Sequence, residues 1–192
     1  MSNPPTEFYS EDRWQNWIER IEAEDLDPED ESSARLLLNL QDDTSIAVAK
    51  IVAAYDDGDL DDETAMEEIA TVRDIVLADT EIEDEEKAML VDGVQTSLVC
   101  VFVAAEEYIA SGPPEEGSVH DYLGAAADAE TEENLDEALG YAATAGTLII
   151  DGKDLDISLA EELEYGLVTE WINGLDSLQS AMSDPEVVEE DE

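Results

Sequence analysis

His120 and Cys100 are the only histidine and the only cysteine of this chain, which bounds its chemistry early. One histidine cannot build the paired-histidine sites of a zincin helix, an HD phosphohydrolase or a ferritin-like di-iron centre. His120-Asp121 offers half of a Ser-His-Asp set, but no G-x-S-x-G elbow is present. At the start of a short helix, a solvent-facing or capping role is expected for His120. A single cysteine makes neither an internal disulfide nor a Cys-based zinc site. Cys100 lies in the apolar run Leu98–Ala105, where desolvation raises the thiol pKa and leaves an inert core residue.

Phosphate chemistry fares no better. There is no G-x-x-x-x-G-K-[ST] loop and no G-x-G-x-x-G after a strand. A calcium loop with Gly58 or Gly152 as its sixth residue would begin at Ala53 or Thr147, and neither is Asp. No cofactor and no specific metal site is expected; Mg²⁺ or K⁺ associates loosely with surface acids. Two-carboxylate acid–base chemistry would be marked by an acid set in an apolar face with a raised pKa. Glu106 and Glu107 follow the apolar run and Glu170 neighbours Trp171, but each helix position also permits exposure. That leaves no catalytic residue to name.

The aromatic residues near the N-terminus are the remaining candidates. Phe8, Tyr9, Trp14 and Trp17 concentrate aromatic area in one short stretch. The plain reading is that this face staples a terminal helix onto the bundle. The functional reading is a partner-binding patch, because Trp and Tyr dominate interface hot spots. These four are the candidate partner-binding residues.

Composition sets the environment. Of 192 residues, 54 are Asp or Glu and seven are Lys or Arg, for a formal charge of −47. Such a charge repels itself and destabilises a compact chain in dilute buffer. A 43% apolar fraction, clustered and periodic, argues against a disordered acidic chain. Both facts fit a very salty solvent, since at about 1 M salt the screening length falls to roughly 3 Å. Only Lys50, Lys87 and Lys153 are lysines. The expected setting is the cytosol of an extreme halophile. Nucleic-acid mimicry, Ca²⁺ buffering or docking on a basic partner would need acids gathered in one place, and here they are spread along the chain. Direct nucleic-acid binding is disfavoured for want of Lys and Arg clusters. No apolar signal segment is seen in Met1 to Arg13, and the longest uninterrupted apolar run is Leu98–Ala105. That run is far short of the roughly 20 residues needed to span a bilayer. A cytoplasmic protein without a membrane segment is expected.

The elements that position these residues read as helices. A lead-in over 1–9 precedes a helix capped by Ser10 and running to about Ala23, with Trp14, Trp17, Ile18 and Ile21 on one face. A long second helix is predicted from Ser33 to Tyr55, stopped at Asp57-Gly58. Asp61 or Asp62 caps a third to about Ala78. The fourth, from Asp84 to about Ala110, carries the broadest apolar surface and belongs at the centre of a bundle. A strand is the weaker alternative there, and again at Thr147–Ile150. After the break at Ser111 to Gly117, an Ala-rich fifth helix runs from Ser118 to about Ala129 and a sixth from Thr131 to Ile150. Ser158 with Glu161 reads as a capping box opening a last long helix to Ser183, before Asp184-Pro185. An acidic, mobile tail is expected over 184–192. Asp59-Leu60-Asp61 recurs as Asp154-Leu155-Asp156, which reads as shared turn chemistry. The prediction is all-α: one domain over 10–183, a bundle of about seven helices with long second, fourth and last members.

The stretches Arg13–Asp25, Leu36–Asp43, Val91–Cys100, Gly146–Gly152 and Glu164–Glu190 resemble a small family of haloarchaeal proteins of unknown function. The resemblance covers nearly the whole chain and implies a halophilic, cytosolic protein. It implies no activity, cofactor or site residue. The expected role is non-enzymatic contact with another protein, as adaptor, regulator or assembly component. The alternatives are a small-molecule-binding bundle, with an enclosed pocket near the fifth and sixth helices, and last a carboxylate-dependent hydrolase needing a cleft with two fixed acids.

Overall fold

Helix caps set the boundaries of most elements. The computed structural model describes residues 8–27 and 29–183; the lead-in over 1–7 and the tail over 184–192 lie outside them. Among the described residues there are eight helices and no strand: α1 Glu11–Ala23, α2 Glu31–Asp56, α3 Asp62–Val76, α4 Glu85–Ser111, α5 Val119–Thr131, α6 Leu135–Ile150, α7 Ser158–Glu162 and α8 Leu167–Ser183. Ser10, Asp61, Asp84 and Ser118 each accept a backbone N–H from the first turn of the helix they open, as expected of N-caps. Gly58 and Gly152 take positive φ after α2 and α6, the left-handed turn that ends each helix without a Cβ penalty.

The all-α bundle is as predicted, with corrections at two joints. The sixth helix starts at Leu135, not Thr131, because Asn134 caps it and Glu133 turns through positive φ. The predicted last helix is two. Ser158 forms no capping box; its N–H and hydroxyl go instead to the Asp156 carboxylate, at 3.0 and 2.6 Å. The chain extends at Leu163, and α8 begins afresh at Leu167. Its N-terminus is capped by a residue distant in sequence: Glu130 of α5 accepts from Leu167 N (3.0 Å) and Val168 N (2.8 Å). A Cβ on Gly166 would run into that carboxylate, so a glycine stands there. The two weaker strand readings fail, since α4 and α6 run unbroken through them.

α4 is the axle of the bundle. It packs against α2, α3, α6 and α8, while α5 pairs with α6. Close crossings rest on small residues. A Cβ on Gly174 would meet the backbone oxygen of Ser97, and one on Gly146 would meet Ala104 and Leu175. One continuous buried core threads all eight helices, with Phe102, Leu98, Leu123, Leu175 and Leu178 among its largest members. Within it, Gln41 ties three helices together. Its amide nitrogen donates to Ser177 Oγ (2.6 Å) and Asn173 O (3.0 Å), and its Oε1 accepts from Ser97 Oγ (2.9 Å). A fully paired buried amide fixes the register of α2, α4 and α8, because any slip would strand polar groups in the core.

Candidate functional site

The four aromatic candidates turn toward the bundle. Tyr9 and Trp14 are each 3% exposed, and Phe8 and Trp17 are half-buried against the same core. The face is held by a buried acid the periodicity did not single out, Asp43 of α2. It pairs with the Arg13 guanidinium, which also donates through Nε at 2.8 Å, and it accepts from Trp17 Nε1 at 2.9 Å. The Tyr9 hydroxyl lies beside Thr44 without a hydrogen bond of good geometry. Burial, with the nearby Asp43 charge, pushes its pKa up. Arg20 stacks over Trp17, 5.6 Å from the ring centre. In this arrangement the aromatic stretch is a clasp holding α1 on the bundle.

The candidate catalytic groups are dispersed. Cys100 is fully buried, and desolvation, with Glu107 adding to it, raises its thiol pKa; a thiol so held is not a nucleophile. His120 is exposed at the start of α5, and the Asp156 carboxyl is held low chiefly by hydrogen bonds from Ser158. Glu106 pairs with Arg73, Glu107 accepts from the Thr144 hydroxyl at 3.4 Å, and Glu170 accepts from the Tyr165 hydroxyl. The acids whose pKa does rise are Asp42 and Asp176, on the facing helices α2 and α8. Burial is the main cause for both; a Ser177 hydrogen bond partly offsets it at Asp42, and Asp176 adds repulsion. The signal for Asp42 in the sequence was the polar triplet Gln41-Asp42-Asp43 interrupting an apolar stripe. Among the described residues no group of three or more His, Cys, Asp or Glu is placed to hold a metal ion.

What remains exposed and apolar lies elsewhere. An open groove of about 720 Å³ runs between the link Leu77–Thr80 and α4 from Glu85 to Val99. Its lining is mixed: Leu77, Ala88, Met89 and Val99 alternate with Asp79, Glu85, Asp92, Gln95 and Thr96. Met89 is 73% exposed. Among the described residues α4 is the one helix long and apolar enough to cross a membrane, by length and composition, and only 50% of its most apolar 18-residue stretch is buried. The groove walls are pinned. Gln95 Nε2 donates to the carbonyls of Val76 (2.8 Å) and Ala78 (3.0 Å). A second open groove, about 450 Å³, lies between α7 and α8 under Ile157, Leu163 and Tyr165. Neither is lined by a residue of α5 or α6, near which a pocket was expected.

Fold and surface together define an acidic all-α bundle with two open grooves. The chain belongs to an archaeal family described as "Uncharacterized protein conserved in archaea (DUF2150)", which matches residues 7–191. No curated protein and no solved structure matches it.

Proposed function

We propose that this chain is a non-enzymatic cytoplasmic protein of a salt-rich archaeal cell, working through contact with another protein as adaptor, regulator or assembly component. The observation that carries this reading is α4, whose apolar flank is left open at Met89 on a surface otherwise crowded with carboxylates. Concentrated salt of the excluded kind strengthens apolar association, so an apolar strip retained in brine favours contact. The halophilic setting is supported by the −47 charge and by the spread of the acids over exposed positions of the first seven helices. Affinity co-purification of the tagged chain in molar KCl tests the role: a partner recovered in fixed ratio is expected, and the chain alone at its monomer mass counts against it.

A small-molecule role is the second reading, attached to the α7–α8 groove, whose roughly 450 Å³ lies within the usual range of ligand sites. Thermal-shift screening with Tyr165→Ala as control separates it from the first: a metabolite that stabilises the native chain but not the variant would favour it.

A further inference from the structure

The hold on α1 differs in kind from the contacts that tie α2 to α8 together. Close crossings and buried links join those helices: Gly174 against Ser97, Gly146 against Ala104, and the Gln41 amide shared among α2, α4 and α8. Glu130 of α5 caps α8, and Gln95 of α4 reaches the end of α3. α1 takes part in none of these. Polar anchors stand at both of its ends instead. Near its start, Arg13 and Trp17 share one acceptor, the buried Asp43 carboxylate of α2. At its end, Lys87 of α4 donates to the Glu22 carbonyl at 2.8 Å. The chain has seven Lys and Arg, and Arg13, Arg20 and Lys87 all lie at this joint, so charge that is scarce elsewhere is concentrated in holding α1.

We infer that α1 is a strap: it swings off α2 and α3 as one unit beyond the extended residue Glu24 while α2 to α8 stay folded, and the Asp43 carboxylate is its latch. Opening lets water reach Asp43, Arg13 and the Trp17 N–H together, so hydration replaces each pair that is lost. It also relieves a defect of the closed chain. The Tyr9 hydroxyl is buried without a hydrogen-bond partner, and opening gives it water. The apolar face of Trp14, Ile18 and Ile21 opposes release and keeps the closed form the dominant one. Because one carboxylate serves both Arg13 and Trp17, the hold is lost all at once rather than turn by turn. The open form presents Trp14 and Trp17 to solvent, so an aromatic stretch that packs inward when closed becomes a contact surface. The strap goes beyond the interaction reading above and stands without it.

Native-state hydrogen exchange of the full chain in about 1 M KCl, read by mass spectrometry of overlapping peptides, tests it. Amides from Trp14 to Ala23 should exchange through one shared opening. Its urea dependence should be weaker than that of the slowest amides of α4 and α8, because releasing α1 exposes less surface than unfolding the bundle. Two variants separate local from global opening. Gly93→Ala adds a Cβ that meets nothing within 4 Å and stabilises α4 equally whether α1 is closed or open. It should slow the slowest α4 and α8 amides about two- to fivefold and leave α1 unchanged. Asp43→Asn weakens the closed form alone, so exchange in α1 and in the core should both quicken, by about tenfold. Three outcomes overturn the strap: α1 slowing with the core in Gly93→Ala, α1 sharing the core's urea dependence, or a gradient of exchange along α1 that marks fraying. Unchanged α1 exchange in Asp43→Asn overturns the latch. Co-purification reads the interaction role separately, so a recovered partner does not rescue a failed strap, and a missing partner does not remove a demonstrated one.

Discussion

Single residues in this protein carry two kinds of buried acid, with opposite consequences. Asp43 is 5% exposed and fully engaged by Arg13 and Trp17. Asp43→Ala removes the acceptor that a guanidinium and an indole N–H share at the joint of α1 and α2. Loss of charged hydrogen bonds sets the cost at about 2 to 3 kcal/mol, toward the lower figure because Arg13 is partly solvated. Urea unfolding at constant molar KCl, followed by tryptophan fluorescence, measures it; a change below about 0.5 kcal/mol would show that the clasp is idle. Asp42 behaves the other way. Its carboxyl holds a proton more tightly folded than unfolded, so the ionised form costs stability above the raised value. That cost fades as pH falls toward the ordinary carboxylate value of 3.8. Asp42→Asn should therefore raise the unfolding midpoint at neutral pH, with the advantage shrinking as pH is lowered toward about 4. A gain that does not change with pH would refute the assignment.

Between helices, contact distance is set by glycine and by caps supplied from afar. At Gly174 the obstacle to a Cβ is the Ser97 carbonyl, a backbone atom that cannot rotate aside. Gly174→Ala forces α4 and α8 apart and should cost about 1 to 3 kcal/mol, the usual penalty of overpacking. Gly93, inside α4 with nothing within 4 Å of an added Cβ, supplies the contrast. Gly93→Ala should stabilise by about 0.5 to 1 kcal/mol through helix propensity alone. Melting curves of the two variants should move in opposite directions; movement in the same direction would mean that the close crossing is not what Gly174 secures. The same scale explains the misread last helix. Ser158 and Glu161 have the spacing of a capping box, yet Asp156 sits two residues before Ser158 and takes its N–H first. The start of α8 then depends on Glu130, 37 residues away from Leu167, and no local pattern encodes that contact.

At the scale of the whole molecule, the charge of −47 opposes an apolar core that threads eight helices. Salt decides between them. Below about 0.1 M, where the screening length exceeds roughly 10 Å, repulsion between neighbouring helices is felt across the bundle. Circular dichroism should record loss of helix on dialysis to low salt and its recovery in molar KCl. Full helicity retained in dilute buffer would sink the halophilic account. The outermost element, α1, should respond first, and Trp14 and Trp17 would report it through a red-shifted emission.

The helical class, the caps at Ser10 and Ser118, a cap at Asp61 or Asp62, the start of α4 near Asp84, the turns at Gly58 and Gly152 and the central place of α4 were legible in the sequence, because each depends on residues within a turn or two. The inert setting of Cys100 was legible too, since the seven other apolar residues of its run announce a desolvated thiol. Whether Trp14 faces a partner or the core, which acids are buried, where α8 begins and which flank of α4 stays uncovered were decided only in the tertiary structure. Those outcomes depend on Asp43, Asp176, Glu130 and the end of α3 meeting residues far along the chain, and periodicity within one helix says which face is apolar without saying what covers it.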